Sequence, residues 1–117
     1  MVQNRNKLID LFIGNIANSI VHEILEKAAK ENELISRYRK ELTTSFEIAK
    51  KYRNKINPIS SSLPDKDNIY IKSKIIRKVR AELSLRISKG YENIDLGLVE
   101  ELVNKALKDT KIVEDTS

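Results

Sequence analysis

The feature that most constrains this chain is an apolar segment near its start that repeats at helical spacing. Its apolar residues form two adjacent stripes, and a helix that is apolar over more than half of its circumference must be covered on most sides. The spacing predicts a helix over residues 6–30, at the centre of a bundle or shared with a partner chain. We therefore expect a homodimer, or a subunit of a protein complex, assembled through this helix. The stripes are Ile9-Ile13-Ile16-Ile20-Ile24 and Ala17-Val21-Leu25-Ala28, and the polar edge is Asn15, Asn18, Ser19, His22 and Glu26.

The same segment is not typical of a signal peptide or a membrane span. Polar residues, among them Asp10, Asn15 and Glu23, interrupt it, and no small-residue cleavage pattern follows. It also falls short of roughly 18 uninterrupted apolar residues, the minimum for a span. The sequence therefore predicts a cytoplasmic protein with no membrane association.

Three further helices are expected because apolar residues recur every three or four positions in the rest of the chain. The second covers residues 33–56, the third residues 68–89 with Gly90 as its stop, and the fourth begins near Asp95, an N-cap residue. Between the second and third, residues 57–68 (NPISSSLPDKDN) contain both prolines and predict a loop rich in Pro and Ser. The expected seams are Ile35, Tyr38, Leu42, Phe46, Ala49, Tyr52 and Ile56 in the second helix, Ile69, Ile76, Val79, Leu83 and Ile87 in the third, and Leu96, Val99, Leu102, Val103, Ala106 and Leu107 in the fourth.

These elements define the predicted fold class, an all-α bundle of about four helices. The 117 residues suffice for one modest core. We expect a single helical domain over residues 1–108, followed by a frayed polar tail over residues 109–117.

Charge is distributed unevenly along the chain. The formal net charge is +5, but residues 31–89 carry 15 basic and 7 acidic residues, whereas residues 90–117 carry three basic and seven acidic ones. Clustered Lys and Arg bind nucleic acid by neutralising phosphates and releasing condensed counterions. The second and third helices are predicted to present two neighbouring basic faces, with the acidic fourth helix as a competing partner for the third. The candidate nucleic-acid-binding residues are Arg37, Lys40, Lys51, Lys55, Lys72, Lys74, Arg77 and Lys78.

Tyrosines beside such a surface would favour contact with unpaired bases. Tyr38 and Tyr52 fall in the predicted seam of the second helix, whereas Tyr70 and Tyr91 fall near the ends of the third. Tyr70, close to Lys72 and Lys74, is the one candidate for base stacking, but its position favours a helix-entry anchor.

The residue inventory is poor in catalytic chemistry. The chain has no Cys and one His, so thiol nucleophiles and closed zinc sites of the usual kinds are excluded. His22 and Glu26 are four residues apart, and two ligands on one helix do not complete a metal site. Neither a nucleophile elbow nor a phosphate-binding glycine loop occurs. We expect no enzyme activity, no cofactor and no metal.

Two segments resemble known families. Residues 51–57, Lys-Tyr-Arg-Asn-Lys-Ile-Asn, resemble the RN segment of HEPN ribonucleases and RNA-binding proteins, but Asn57, Pro58 and Ile59 stand where that family places its histidine. The resemblance therefore implies a degenerate, RNA-binding relative. The order of residues 42–46 (LTTSF), 82–89 (ELSLRISK) and the acidic helix over residues 95–107 is similar to the helical domain of GINS replication subunits, which implies a protein–protein scaffold.

The function predicted from these observations is that of a non-enzymatic accessory protein that binds the backbone of DNA or RNA. Its basic surface is expected on the second and third helices. The alternatives are a scaffold subunit of a larger complex and a degenerate HEPN-like RNA-binding protein.

Overall fold

The computed structural model describes residues 4–57 and 62–113. They form four α-helices, which confirms the all-α bundle. The helices are α1 (Arg5–Ala28), α2 (Asn32–Ile56), α3 (Asp65–Ser88) and α4 (Val99–Asp109), with a short 3-10 helix at Leu96–Leu98. Residues 58–61 of the predicted loop lie outside the described residues.

The ends of the helices follow from local capping. Asn4 caps α1 by accepting a hydrogen bond from the Asn6 amide at 2.8 Å. Helix α3 begins three residues earlier than predicted, directly after Pro64, whose carbonyl accepts bonds from the amides of Asp67 and Asn68. Acidic residues in that first turn, Asp65 and Asp67, favour the helix N-terminus electrostatically. Gly90 follows α3 with φ +99°, a left-handed conformation that glycine adopts without strain.

Helix α1 is the central element of the bundle, as its two apolar stripes predict. Eleven of its residues are buried, and it packs against α2, α3 and α4. Helix α2 runs antiparallel to α1, because Ser19 meets the carbonyl of Leu42 while Glu26, later in α1, meets the earlier Arg39. Part of the predicted polar edge thus lies in the α1–α2 interface. The apolar surface on which the homodimer prediction depends is covered within the chain, and the homodimer stays a prediction.

Length and composition alone would allow α1 to cross a membrane, but 61% of its most apolar window is buried inside the bundle. A core helix of this kind has the same composition as a membrane span. The prediction of no membrane association is untested.

The seam of α2 is centred on small residues. Ser45 and Ala49 are buried against α1, while Tyr38, Phe46, Tyr52 and Ile56 are partly buried around the core. Small side chains at the centre let the two helix backbones approach closely. The predicted seam of α2 is therefore present, with Ala49 as its only fully covered residue.

The predicted core face of α3 is partly wrong. Val79 and Leu83 are buried as expected, but Ile69 and Ile87 are 70% and 41% exposed, and Ile76 is only partly buried. The buried stripe is instead Ile71, Ile75, Val79 and Leu83. Residues repeating every four positions shift gradually around a helix, so this stripe covers a broad sector of α3. A broad buried sector is needed because α3 contacts both α1 and α4.

The prediction of a frayed tail is also wrong for its first part. Thr110 and Ile112 are buried, and the Leu63 amide donates a hydrogen bond to the Ile112 carbonyl at 3.1 Å. Residues 110–113 are therefore packed into the bundle. Residues 114–117 lie outside the described part of the chain.

Candidate nucleic-acid interface

The four cations predicted on α2 share one exposed side of that helix. At about 100° per residue, they project from the side opposite the buried Ala49. The ammonium of Lys55 lies 5.8 Å from the ring centroid of Tyr52. We call the four cations, Arg37, Lys40, Lys51 and Lys55, the α2 outer face.

On α3, the structure brings three of the four predicted cations together on the side turned away from the core. Arg77 and Lys78 are exposed, and Lys74 is partly exposed one turn before Lys78. Tyr70 lies one turn before Lys74, and the Lys74 ammonium is 5.8 Å from its ring centroid. We call Tyr70, Lys74, Arg77 and Lys78 the α3 outer face.

The fourth predicted cation of α3 is placed elsewhere. Lys72 lines the groove between α3 and α4, together with Asn104 and Lys108. Lys72 therefore does not belong to the α3 outer face.

The two outer faces do not adjoin as predicted. Helices α2 and α3 both pack on α1, and they form no close helix–helix interface with each other. The expected neighbouring basic faces are instead separated, because the strongly apolar α1 lies between α2 and α3.

Ion pairing distinguishes the eight predicted cations from five other basic residues. Arg5, Arg39, Lys50, Arg80 and Arg86 each lie within 4.0 Å of a carboxylate. Within residues 4–57 and 62–113, none of the eight predicted binding residues has such a partner. Their charges are therefore not neutralised by a described carboxylate and are available to phosphates.

The acidic α4 neutralises little of α3. Its one ion pair with α3 among the described residues joins Glu100 to Arg80 at 3.4 Å, with side chains 65% and 52% exposed. Such exposed pairs are weak and screened by salt. The α3 outer face thus keeps its charge despite the acidic neighbour.

The tyrosines divide as the sequence predicts. Tyr38 and Tyr52 are partly buried against the core, whereas Tyr70 and Tyr91 are 45% and 42% exposed. The Tyr70 ring is thus exposed and lies beside the Lys74 ammonium.

His22 and Glu26 are engaged with protein groups. The Nδ1–H of His22 donates to the Asn18 carbonyl at 2.8 Å, and its ring lies 5.9 Å from that of Tyr38. Glu26 accepts two hydrogen bonds from the guanidinium of Arg39, at 2.5 and 3.0 Å. In the part of the chain that the structure describes, no three His, Asp or Glu side chains group as metal ligands would.

One basic residue of the HEPN-like segment is not available to a ligand. Arg53, which carries the HEPN resemblance, is fully buried near the end of α2. It donates to the carbonyls of Thr110 and Lys111 at 2.8 and 2.7 Å and to the side-chain oxygen of Asn57 at 2.5 Å. Burial lowers the pKa of the Arg53 guanidinium, which still remains charged at neutral pH. Its contacts indicate a structural role that fastens the end of α4 to the end of α2.

The helical spacing of the sequence indicates that Arg53 is buried. It follows Ser45 and Ala49 at successive intervals of four, so it shares their side of the helix. That side is the buried one.

Comparison with known proteins adds no assignment, because no family model, curated protein or solved structure matches this chain.

Proposed function

We propose that this chain is a non-enzymatic cytoplasmic accessory protein that binds the phosphate backbone of DNA or RNA. The binding groups are the cations of the α2 outer face and the α3 outer face, with Lys72 as a peripheral contact. The observation that supports this proposal is their lack of carboxylate partners within the described residues, while five other cations are paired.

The α3 outer face is the stronger of the two. Arg77, Lys78 and Lys74 are grouped within two helical turns, and residues 58–89 carry eight basic and three acidic residues. Each neutralised phosphate contributes roughly −0.9 to the slope of log affinity against log salt for a duplex, and about −0.7 for a single strand. A binding reaction of this kind therefore weakens steeply with ionic strength.

Fluorescence anisotropy with labelled DNA and RNA, at about 50 mM and about 200 mM salt, measures this slope. The triple variant Lys74→Glu, Arg77→Glu, Lys78→Glu is expected to weaken binding at least 10-fold at the lower salt and to flatten the slope, with roughly 1.4 kcal/mol corresponding to that factor. All three side chains lie outside the buried core, so the bundle is expected to fold.

The matched control is the triple variant Lys27→Glu, Lys30→Glu, Lys105→Glu. It makes the same change in net charge at exposed lysines away from both outer faces. Its loss of affinity should be much smaller. Equal losses in the two triple variants would show that net charge, and not the α3 outer face, governs binding.

Absence of binding to any nucleic acid at the lower salt would refute the proposal. Reproducible metal-dependent cleavage of the probe would contradict its non-enzymatic part.

A protein–protein scaffold is the second candidate, and exposed apolar side chains favour it. Ile69, Leu85, Ile87 and Leu96 are between 39% and 70% exposed, all on α3 or shortly after it. Exposed apolar residues of this size are typical of contact surfaces when they cluster. Light scattering of the purified chain tests the simplest form of this candidate, the homodimer, and a stable monomer over a wide concentration range would contradict it.

A further inference from the structure

We propose that the ligand of the α3 outer face is single-stranded nucleic acid, and that Tyr70 stacks on one of its unpaired bases. This inference rests on the proposed function and names the substrate class of the same site. It is carried by the placement of an exposed aromatic ring at one end of a row of unpaired cations.

Tyr70 has no evident role in holding the bundle together. Its ring is 45% exposed, whereas its neighbours Ile71 and Ile75 are fully buried and supply the core contacts of this part of α3. Among the described residues its hydroxyl has no hydrogen-bond partner, and its one cation–π contact is with the Lys74 ammonium at 5.8 Å. The exposed part of the ring is therefore free to meet a ligand.

The cations beside the ring continue along the helix at intervals that suit an extended strand. Lys74 and Lys78 follow Tyr70 at successive turns, about 6 Å apart along the axis, with Arg77 beside them. One strand lying along this face would place a base on Tyr70 and successive phosphates near the three cations.

Tyr91 provides an internal comparison. It is also exposed, and a cation also lies over its ring, since the Arg86 guanidinium is 5.4 Å from the ring centroid. Arg86, however, is already paired with Glu82 at 3.2 Å. Only the tyrosine on the α3 outer face combines an exposed ring with an adjoining cation that has no described carboxylate partner.

The ring discriminates between paired and unpaired nucleic acid. Inside a duplex, each base face is covered by its neighbours, so a side chain outside the helix has no base face to contact. Unpaired bases stack on protein aromatic rings with about 1–3 kcal/mol per base. That range corresponds to an affinity change of roughly 5-fold to 150-fold.

The test is anisotropy with one labelled oligonucleotide, used both alone and annealed to its complement, at about 50 mM salt. The wild-type chain should bind the single strand more tightly than the duplex. Tyr70→Ala should weaken single-strand binding at least 5-fold and leave duplex binding within about 2-fold, whereas Tyr70→Phe, which keeps the ring, should bind like wild type. The control Tyr91→Ala removes an equally exposed ring and should leave both affinities unchanged.

The outcomes separate this inference from the proposed function. No binding to either form of the oligonucleotide would refute both. Salt-dependent binding to both forms with no effect of Tyr70→Ala, or with equal losses for strand and duplex, would overturn the stacking role and leave the proposed function standing. Circular dichroism of each variant checks that the helices are retained, so that a loss of affinity reports on the ring.

Discussion

Arg53 and Arg77 carry the same guanidinium on two long helices of similar composition, yet their surroundings are opposite. Arg53 is fully buried, and its nitrogens donate to two main-chain carbonyls and to Asn57. Arg77 is exposed and has no carboxylate within 4.0 Å in the described part of the chain. A buried charge is tolerated only when polar groups compensate for its lost hydration. The comparison shows that one basic residue stabilises the fold while the other is available to a ligand.

The largest expected effect is on stability and concerns Arg53. Arg53→Ala removes the charged donor from the carbonyls of Thr110 and Lys111 and leaves a cavity, so we expect the free energy of unfolding to fall by about 4 kcal/mol. Arg77→Ala, the matched change at the exposed arginine, should cost no more than about 0.5 kcal/mol. Urea unfolding followed by circular dichroism measures both values.

A further variant separates charge from geometry at this position. Arg53→Lys keeps the positive charge but loses the planar fork that reaches several acceptors, and an intermediate loss of about 2 kcal/mol is expected. If Arg53→Ala cost as little as Arg77→Ala, the contrast between the two arginines would be invalid.

The next largest effect concerns α3, where the predicted apolar stripe contains Ile69 and the buried stripe contains Ile75. Ile75 is fully buried and Ile69 is 70% exposed, although both are isoleucines on one helix. Ile75→Ala should lower the free energy of unfolding by about 3 kcal/mol, because it removes buried methyl groups and leaves a cavity. Ile69→Ala should change it by less than about 0.5 kcal/mol. Similar losses for the two variants in the same urea experiment would contradict the assignment of Ile75 to the core and of Ile69 to the surface of α3.

These contrasts show which parts of the fold could be predicted from the sequence. The apolar stripes of α1 are wide enough to require a central position in the bundle. In the structure, α1 occupies that position. Helix α3 offers two overlapping apolar stripes, and the spacing alone does not tell which of them faces α1 and α4. That choice depends on the packing of the other helices, which is not a local property of the sequence.

The same distinction applies to the candidate site. The positions of the eight predicted cations on α2 and α3 follow from helical periodicity, and none of the eight is buried in the structure. Their separation into two faces results from the placement of α1 between α2 and α3, and the position of Lys72 in the groove beside α4 depends on how α3 packs against α4. The packing of residues 110–113 was missed because it depends on Arg53, a partner 57 residues away from Thr110 in sequence.

The smallest expected effect concerns Arg80, which is intermediate between the two arginines compared above. It is exposed like Arg77, three residues further along α3, but it is paired with Glu100 at 3.4 Å. Glu100→Gln should leave the free energy of unfolding within about 0.5 kcal/mol of wild type, because exposed ion pairs contribute little. It should also raise affinity for nucleic acid about 2-fold at low salt, since an additional cation beside the α3 outer face is released to phosphates.

The control Glu101→Gln makes the same change in net charge at an exposed residue that has no ion pair with α3 in the described structure, and its effect on affinity should be smaller. Equal gains in the two variants would mean that the overall charge of α4, and not the pairing of Arg80, limits binding.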